Sequence, residues 1–471
     1  MKLLRYHDDQ PALITEQGNM ITYAQLHERL IVTQKIFGDE SSKKGLVFLF
    51  TRNTVQSITA YLAAFESQQA VALLDQQLKP EFAARLVNVY QPEWIYLEGD
   101  SEWLNAQYNF VESGFWLRRQ LADRHIHSDL AILLTTSGST GSPKFVRLSY
   151  ENVLSNAQAI AQSLQLTRDE RALTTLPFHY SYGMSILNSH LVSGACVVIS
   201  EASVMEQGFW DTLVREKVTS LAGVPYTYQM LDRLGFTGKE LPALRNLTQA
   251  GGKLPENLIR KFLDLAQQRK MNFFVMYGQT EASPRISCVP PERLADKVGS
   301  AGLPLTGGEL IIETSEGRTT EPRVTGEIIY RGPNVMLGYA EDRNDLTLGD
   351  VQGHELYTGD LGYLDEEGFL FITGRSKRIA KVFGVRLNLD EVESLFKSFG
   401  AVAVLGGVDK LHIYHECQDQ ALVASTRKQV ALDLKVPMQS LSLHPLERLP
   451  TLSSGKVDYR TLQRELDGGV K

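Results

Sequence analysis

Cysteine is scarce in this 471-residue chain: Cys196, Cys288 and Cys417 are odd in number and far apart. That excludes a disulfide framework or a cysteine-based zinc cluster and fits the reduced thiols of a cytoplasmic protein. Long apolar runs are also missing. None reaches the roughly 18–20 residues that a helix needs to span a bilayer. The N-terminal MKLLRYHDDQPAL has one apolar pair before its polar residues, so neither a membrane span nor a secretory signal is expected. The net charge is only -7, which gives no electrostatic reason to expect nucleic acid or an anionic membrane as partner. Internal repeats and low-complexity tracts are absent. What is there is ordinary globular composition, 43% hydrophobic and 22% charged. The chain is too long for one core and long enough for two or three packed units.

The pattern of those residues predicts an α/β fold. ITYAQLHERLIVTQKIF, from Ile21, reads as a strand end entering an amphipathic helix. GLVFLF (Gly45 to Phe50) reads as a buried strand, then come Thr51, Arg52 and Asn53, a helical SITAYLAAFESQ and another strand, AVALLD. The alternation recurs around CVVIS, SLAGVP and NFFVMYG. Apolar runs of strand length between helical patterns argue for parallel-rich sheets covered by helices. Near Val298 Gly, Pro and Thr become frequent, and GELIIE and GEIIYRG sit between turn signals, which predicts a small β-rich subdomain over about 298–375. A boundary at Gly374–Lys377 divides an N-terminal core, 1–375, from a small α+β C-terminal domain, 376–471. The latter holds a helical NLDEVESLFKSFG and short strands around AVAVLGG and LHIYHE.

The strongest chemical signal is LLTTSGSTGSPK, where an apolar strand end runs into Thr136, Ser137, Gly138, Ser139, Thr140, Gly141 and, after Pro143, Lys144. Glycines let backbone N–H groups approach a polyphosphate, hydroxyls add donors and lysine adds a point charge. The spacing is not that of a Walker A loop. A flexible Ser/Gly linker is the plain alternative, but linkers rarely follow an apolar strand directly and end in Pro-Lys.

TTSGSTGSPK resembles the phosphate loop of the adenylate-forming superfamily: acyl-CoA synthetases, peptide-synthetase adenylation domains and firefly luciferase. Six further segments resemble that family's signatures in order. PFHYSYG, with His179, is similar to the segment flanking the acyl pocket. AGGKL, with Gly251 and Gly252, is similar to the glycine pair beside adenine. YGQTEAS is similar to the stretch in which Tyr277 and Gly278 meet adenine, Thr280 the α-phosphate and Glu281 a magnesium ion. GEIIYRGPNVMLGY is similar to the β-rich lead-in. YTGDLGYLDEEGFLFITGRSKR is similar to the ribose and hinge region, with Asp360 in the turn of TGDLG and Arg375 as a forked donor. PTLSSGKVDYRTL is similar to the C-terminal segment carrying a mobile catalytic lysine, here Lys456. Taken singly, each is bland: Glu281 a surface glutamate, Tyr277 a core aromatic, Arg375 a surface ion pair, Lys456 a solvated lysine. Their order and spacing decide the matter.

The resemblance implies ATP and Mg2+ as cofactors. A carboxylic acid becomes an acyl-adenylate with loss of pyrophosphate, and the acyl group then passes to a thiol of CoA or of a carrier protein's phosphopantetheine. It implies a mobile C-terminal domain, hinged at Lys377, that presents Lys381 and Gly384 to the acceptor. Two departures bear on this. PFHYSYG lacks the acid that holds an amino-acid substrate's ammonium, so a fatty, hydroxy or aryl acid is expected. The hinge reads GRSKRIAKVFG, with Arg378 for the usual acid and Ala380 for the usual isoleucine. An acyl carrier protein as partner, an amide-forming ligase using an amine, and an inactive homologue on the same fold all stay open. So does the oligomeric state.

Overall fold

A computed structural model describes residues 2–38, 43–99, 102–104, 106–120, 125–135, 144–375, 378–382, 385–407, 409–434, 436–452 and 457–468. The chain forms two compact units. One comprises Met1–Glu309 with Tyr330–Leu356, the other Leu310–Ile329 with Tyr357–Lys471. The β-rich strands after residue 309 thus group largely with the C-terminal residues.

Two large sheets build the first unit. An eight-stranded sheet has Leu46–Thr51, Ala70–Asp75, Trp94–Tyr96 and Leu130–Thr135 as its parallel centre. Phe145–Ser149 and Gly338–Ala340 join one side antiparallel. All six residues of LVFLFT are buried, as expected of a strand covered on both faces. A nine-stranded sheet runs parallel from Asn272–Gly278 through Asn246–Gln249, Ser220–Gly223, Arg171–Leu173 and Cys196–Val198 to Pro11–Ile14. Antiparallel strands close both of its edges, Arg285–Val289 pairing with Asn272–Gly278 at one and Met20–Thr22 with Pro11–Ile14 at the other.

Side-chain caps open the first helices, and the segment read from Ser57 begins two residues earlier. Thr54 accepts from Ser57 N to cap Val55–Glu66, a contact of about 1 kcal/mol. Tyr23–Gln34 begins on a capping box of Thr22 and Gln25. The helix Ser181–Val192 differs from these: SYGMSILNSHLV is rich in polar residues, yet every residue is buried. Its hydroxyls turn inward on their own backbone, Ser185 to Tyr182 O (2.7 Å) and Ser189 to Ile186 O (3.2 Å). Among the described residues no helix is long and apolar enough to cross a membrane.

The second unit holds most of a five-stranded sheet that includes Glu309–Thr314, Gly326–Arg331, Glu355–Leu364 and Leu370–Arg375. It also holds a three-stranded sheet, Val402–Gly407, Lys410–His415 and Leu441–Pro445, with helices at Leu389–Leu395, Gln420–Asp433 and Tyr459–Gly468. Val382, Val392, Phe396, Val404, Ile413 and Leu441 form its core. One local expectation fails here. TGDLG is not a turn; Asp360 lies inside the ten-residue strand Glu355–Leu364. Gly362 serves close strand packing instead, since a Cβ there would stand 2.5 Å from Phe371 O, while Gly359 takes a positive φ of 72° within the strand.

Candidate functional site

In parallel sheets, ligands bind beyond the carboxyl ends of the strands, and the predicted residues of the first unit collect there. His179 and Tyr180 follow Arg171–Leu173, Gly251 and Gly252 follow Asn246–Gln249, and Thr280 and Glu281 follow Asn272–Gly278. Thr280 Oγ1 lies 3.1 Å from Ser181 Oγ, which joins the PFHYSYG and YGQTEAS segments directly. Gly251 has φ +85°, and a Cβ on it would meet Tyr180 Oη at 2.8 Å. Buried Gln249 donates to Gly252 O at 2.8 Å and fixes that turn. Gly278 is required by packing: a Cβ would lie 1.9 Å from Pro284 O. Tyr277 is half-buried at the end of its strand.

His179 ties this edge to the other sheet. Its Nδ1 is 3.2 Å from Thr51 Oγ1, and Nε2 is 3.8 Å from Asp75 Oδ2. Thr51 and Asp75 end the two central strands of the eight-stranded sheet. Thr51 Oγ1 also donates to Leu74 O at 3.2 Å. Burial lowers the His179 pKa, against the pull of Asp75. His179 is therefore a neutral, half-buried ring spanning both carboxyl-end rims.

The loop after Leu130–Thr135, which lies beside Ala70–Asp75, is the predicted phosphate loop. Thr136, Ser137, Gly138, Ser139, Thr140 and Gly141 fall outside the described residues, but Lys144 does not. Its Nζ stands 3.6 Å over the Tyr339 ring, a favourable cation–π distance. Tyr339 Oη donates to Glu281 Oε1 at 3.0 Å. Burial, reinforced by the Glu281 charge, raises the tyrosine pKa, so it stays a donor. Lys144 also faces the exposed Glu341 at 3.9 Å, a contact worth little. Lys144, Tyr339 and Glu281 thus form a short polar chain.

Its supports are buried. Arg147, with no exposed surface, donates to Tyr339 O (3.0 Å), Leu348 O (2.5 Å), Gly349 O (3.2 Å) and Leu337 O (3.1 Å). Asn334 donates to Ala282 O (2.6 Å) and Arg285 O (3.0 Å). Met336 N donates to Glu281 O at 2.9 Å.

A magnesium ion fits Glu281 on these terms. One carboxylate oxygen is engaged by Tyr339 and the other is left for a hard cation, which prefers one or two carboxylates plus phosphate oxygens. Among the described residues no cluster of three His, Cys, Asp or Glu can hold a metal ion.

In the second unit the two predicted ribose residues face each other. Arg375 Nε lies 3.2 Å from Asp360 Oδ1, the arginine largely exposed and the aspartate nearly buried. Lys377, Gly384 and Lys456 lie outside the described residues; so does the side chain of Lys381, whose backbone belongs to the strand Ile379–Val382. The departure at Arg378 has a structural account. Its guanidinium pairs with Asp390 and Glu393 and accompanies Tyr459, which donates to Glu393 Oε1 at 2.9 Å. It is an internal tie of this unit.

The sequence reading missed Thr51, Asp75, Arg147, Asn334 and Tyr339. The signal for the first two was available: a polar residue ending an apolar parallel strand marks the ligand rim. Tyr339 stood inside the quoted GPNVMLGY, read only as a β-rich lead-in.

Residues 3–340 match the family model described as AMP-binding enzyme. The 2-succinylbenzoate–CoA ligase of Bacillus subtilis (strain 168) is 32% identical over 467 residues, 95% of this chain and 93% of that protein. That of Bacillus cereus (strain AH820) is 29% identical over 408 residues, 85% and 82% of the two. Among solved structures, o-succinylbenzoate coenzyme A synthetase from Bacillus subtilis, in complex with ATP and magnesium ion, aligns over 97% of each chain at 25% identity with a TM-score of 0.76. ATP-bound MatB from Rhodopseudomonas palustris shares the fold at 21% identity, with a TM-score of 0.81 over 100% of this chain and 98% of that one.

Proposed function

The chain belongs to the AMP-binding enzyme family, and from that premise we propose that it joins a small aryl carboxylic acid to coenzyme A through an acyl-adenylate. A carboxylate oxygen of the acid attacks the α-phosphorus of ATP and pyrophosphate leaves. The CoA thiol then attacks the acyl carbonyl and AMP leaves. The observation that carries the reading is the convergence of Thr280, Ser181 and Gly251 at the strand ends of one sheet with the Lys144–Tyr339–Glu281 chain that links them to the other.

The roles follow from chemistry. Lys144 supplies positive charge at the end of the phosphate loop. Glu281 would hold magnesium, which neutralises charge on the phosphates. Thr280 and Ser181 offer hydroxyls to the α-phosphate or the reacting carboxylate. His179, neutral, shapes the acid's entry instead of pairing with its charge. By resemblance, Asp360 and Arg375 take the ribose hydroxyls. Lys456 stabilises the charge that develops as the adenylate forms, and the C-terminal residues swing about Lys377 between the two half-reactions. The aryl acid and CoA are supported by the relatives' names, both 2-succinylbenzoate–CoA ligases. The absence of an acid in PFHYSYG supports a substrate without an α-amino group.

The test is magnesium-dependent exchange of pyrophosphate into ATP with aryl, hydroxy and fatty acids, followed by acceptor trials with CoA, a phosphopantetheinylated carrier protein and amines. Exchange with an aryl acid and turnover with CoA are expected. Exchange with no acid would place the chain among inactive homologues, and turnover only with amines would make it an amide-forming ligase.

A further inference from the structure

Arg285 is a buried site-adjacent charge with no role so far. It sits on the strand Arg285–Val289, across from Gly278 in the antiparallel register. Its backbone is pinned: N donates to Asn156 Oδ1 (3.1 Å), and O accepts from Asn156 Nδ2 (2.8 Å) and Asn334 Nδ2 (3.0 Å). The side chain is 2% exposed, and Nε has no hydrogen-bond partner. The guanidinium lies 4.5 Å from the Tyr182 ring centre. The titratable groups that face it are Tyr182, Tyr180 and Cys288. All three are neutral at pH 7, with burial holding Tyr182 and Cys288 up to about 12 and raising Tyr180. A buried cation served only by a ring face is costly unless an anion completes it.

The side chain lines a narrow cavity between the buried helix Ser181–Val192 and the nine-stranded sheet, shared with Ser185, Ser189, His190, Thr248 and Met276. His190 Nδ1 is engaged by Ile186 O at 2.9 Å, and Nε2 is buried without a partner. Ser181, Ser185 and Ser189 recur every fourth residue and so share one face of the helix. That face begins at Thr280 and, at 1.5 Å rise per residue, reaches the cavity about 6–12 Å further on. The reacting carboxylate belongs beside Thr280, so the far end of an acid lying along this face meets Arg285. Met276 is unbranched and can swing to widen the cavity.

We propose that Arg285 is a specificity-determining residue that takes a second carboxylate of the acid substrate, so that the enzyme selects aryl diacids over aryl monoacids. This rests on the acid–CoA ligase reading and names its substrate class. A carboxylate is the anion that fits: it is planar, pairs with a guanidinium in a fork, and can accept further bonds from the Ser185, Ser189 and Thr248 hydroxyls once these rotate.

The experiment compares 2-succinylbenzoate with 3-benzoylpropionate, the same skeleton without the ring carboxylate, in full-length enzyme. The wild type is expected to favour the diacid by about 100-fold or more in kcat/KM, since a buried group left unpaired rejects the analogue that lacks its partner. In Arg285→Met that ratio should collapse towards unity, mainly through KM for the diacid, and Arg285→Lys should recover part of it. An active Arg285→Met with an unchanged ratio, or a wild type that prefers the monoacid, overturns the proposal. Adenylation with neither acid defeats the functional reading instead. Binding then still decides: 2-succinylbenzoate should raise the melting temperature of the wild type and not of Arg285→Met, and no shift in the wild type counts against Arg285. If Arg285→Met does not fold, Arg285→Gln takes its place in both measurements.

Discussion

Arg147 and Arg285 lie in the same unit, both almost wholly buried, and the chain treats them in opposite ways. No carboxylate pairs directly with Arg147 among the described residues, although Asp345 and Asp350 act on it from further off, and four of its five N–H donors go to carbonyls: Nε to Tyr339 O, Nη1 to Leu348 O and Gly349 O, Nη2 to Leu337 O. Arg285 has the same group and the same depth but keeps Nε unsatisfied, with tyrosine and cysteine for neighbours. A cation held by four backbone carbonyls is a structural fastener. A cation left wanting is held ready for something that arrives. Burial and residue type do not separate the two roles; the partner inventory does.

Stability should separate them first. Arg147→Met strands four carbonyls, and at about 1 kcal/mol each the loss is about 4 kcal/mol. A large drop in the urea midpoint is the expected readout, with magnesium-dependent activity falling too because Tyr339 loses its anchor. Arg285→Met removes an uncompensated charge and should leave the midpoint unchanged or raise it. Equal losses in the two variants would erase the distinction.

Acid tests the cavity that Arg285 lines. Burial lowers the His190 pKa to about 4, below its usual value near 6.5. The unfolded chain then binds the proton more readily, so this stability is complete above about pH 6.5 and is lost as pH falls through 4. Two and a half pK units correspond to about 3 kcal/mol. Urea midpoints measured from pH 7 to 4 should show that loss in the wild type and a flatter profile in His190→Gln. Parallel profiles would mean that other groups carry the acid sensitivity.

The smallest effects lie on the side that Arg147 supports. Glu281→Gln keeps the shape and removes the charge a hard cation needs, so pyrophosphate exchange at limiting magnesium should fall by about 10-fold or more while ATP binding changes little. Tyr339→Phe removes only the hydrogen bond that orients Glu281, and magnesium titrations of the exchange should show an apparent affinity weaker by about 10-fold. If Tyr339→Phe titrates like the wild type, Arg147 serves the fold alone and not the metal site.

Much of this site was legible in the sequence because its pieces are local. PFHYSYG, AGGKL and YGQTEAS each follow an apolar strand, and a parallel sheet delivers every such end to the same rim. The parts that were not legible depend on pairings far apart in the chain. Tyr339 gains its place only because Gly338–Ala340 pairs with Phe145–Ser149, and Arg147 looks like any strand residue until the segment at 337–349 wraps around it. Asp360 misled through composition: Thr-Gly-Asp-Leu-Gly has the residues of a turn, but Gly362 admits a neighbouring strand and the run continues as β structure. Arg378 read as a departure with consequences for the acceptor, and nothing local indicates that Asp390, Glu393 and Tyr459 receive it. Arg285 sits two residues beyond a quoted motif, where a buried arginine and an exposed one look alike.

The wholly buried helix Ser181–Val192 has one more consequence. Its serines at 181, 185 and 189 are graduations about 6 Å apart, which makes the helix a ruler laid beside the acid. A bulky side chain at Ser189 would shorten the scale at its far end, and one at Ser185 would cut it roughly in half. Substrate length could then be reset in whole helical turns, one position at a time, without touching the rim where the bond is made.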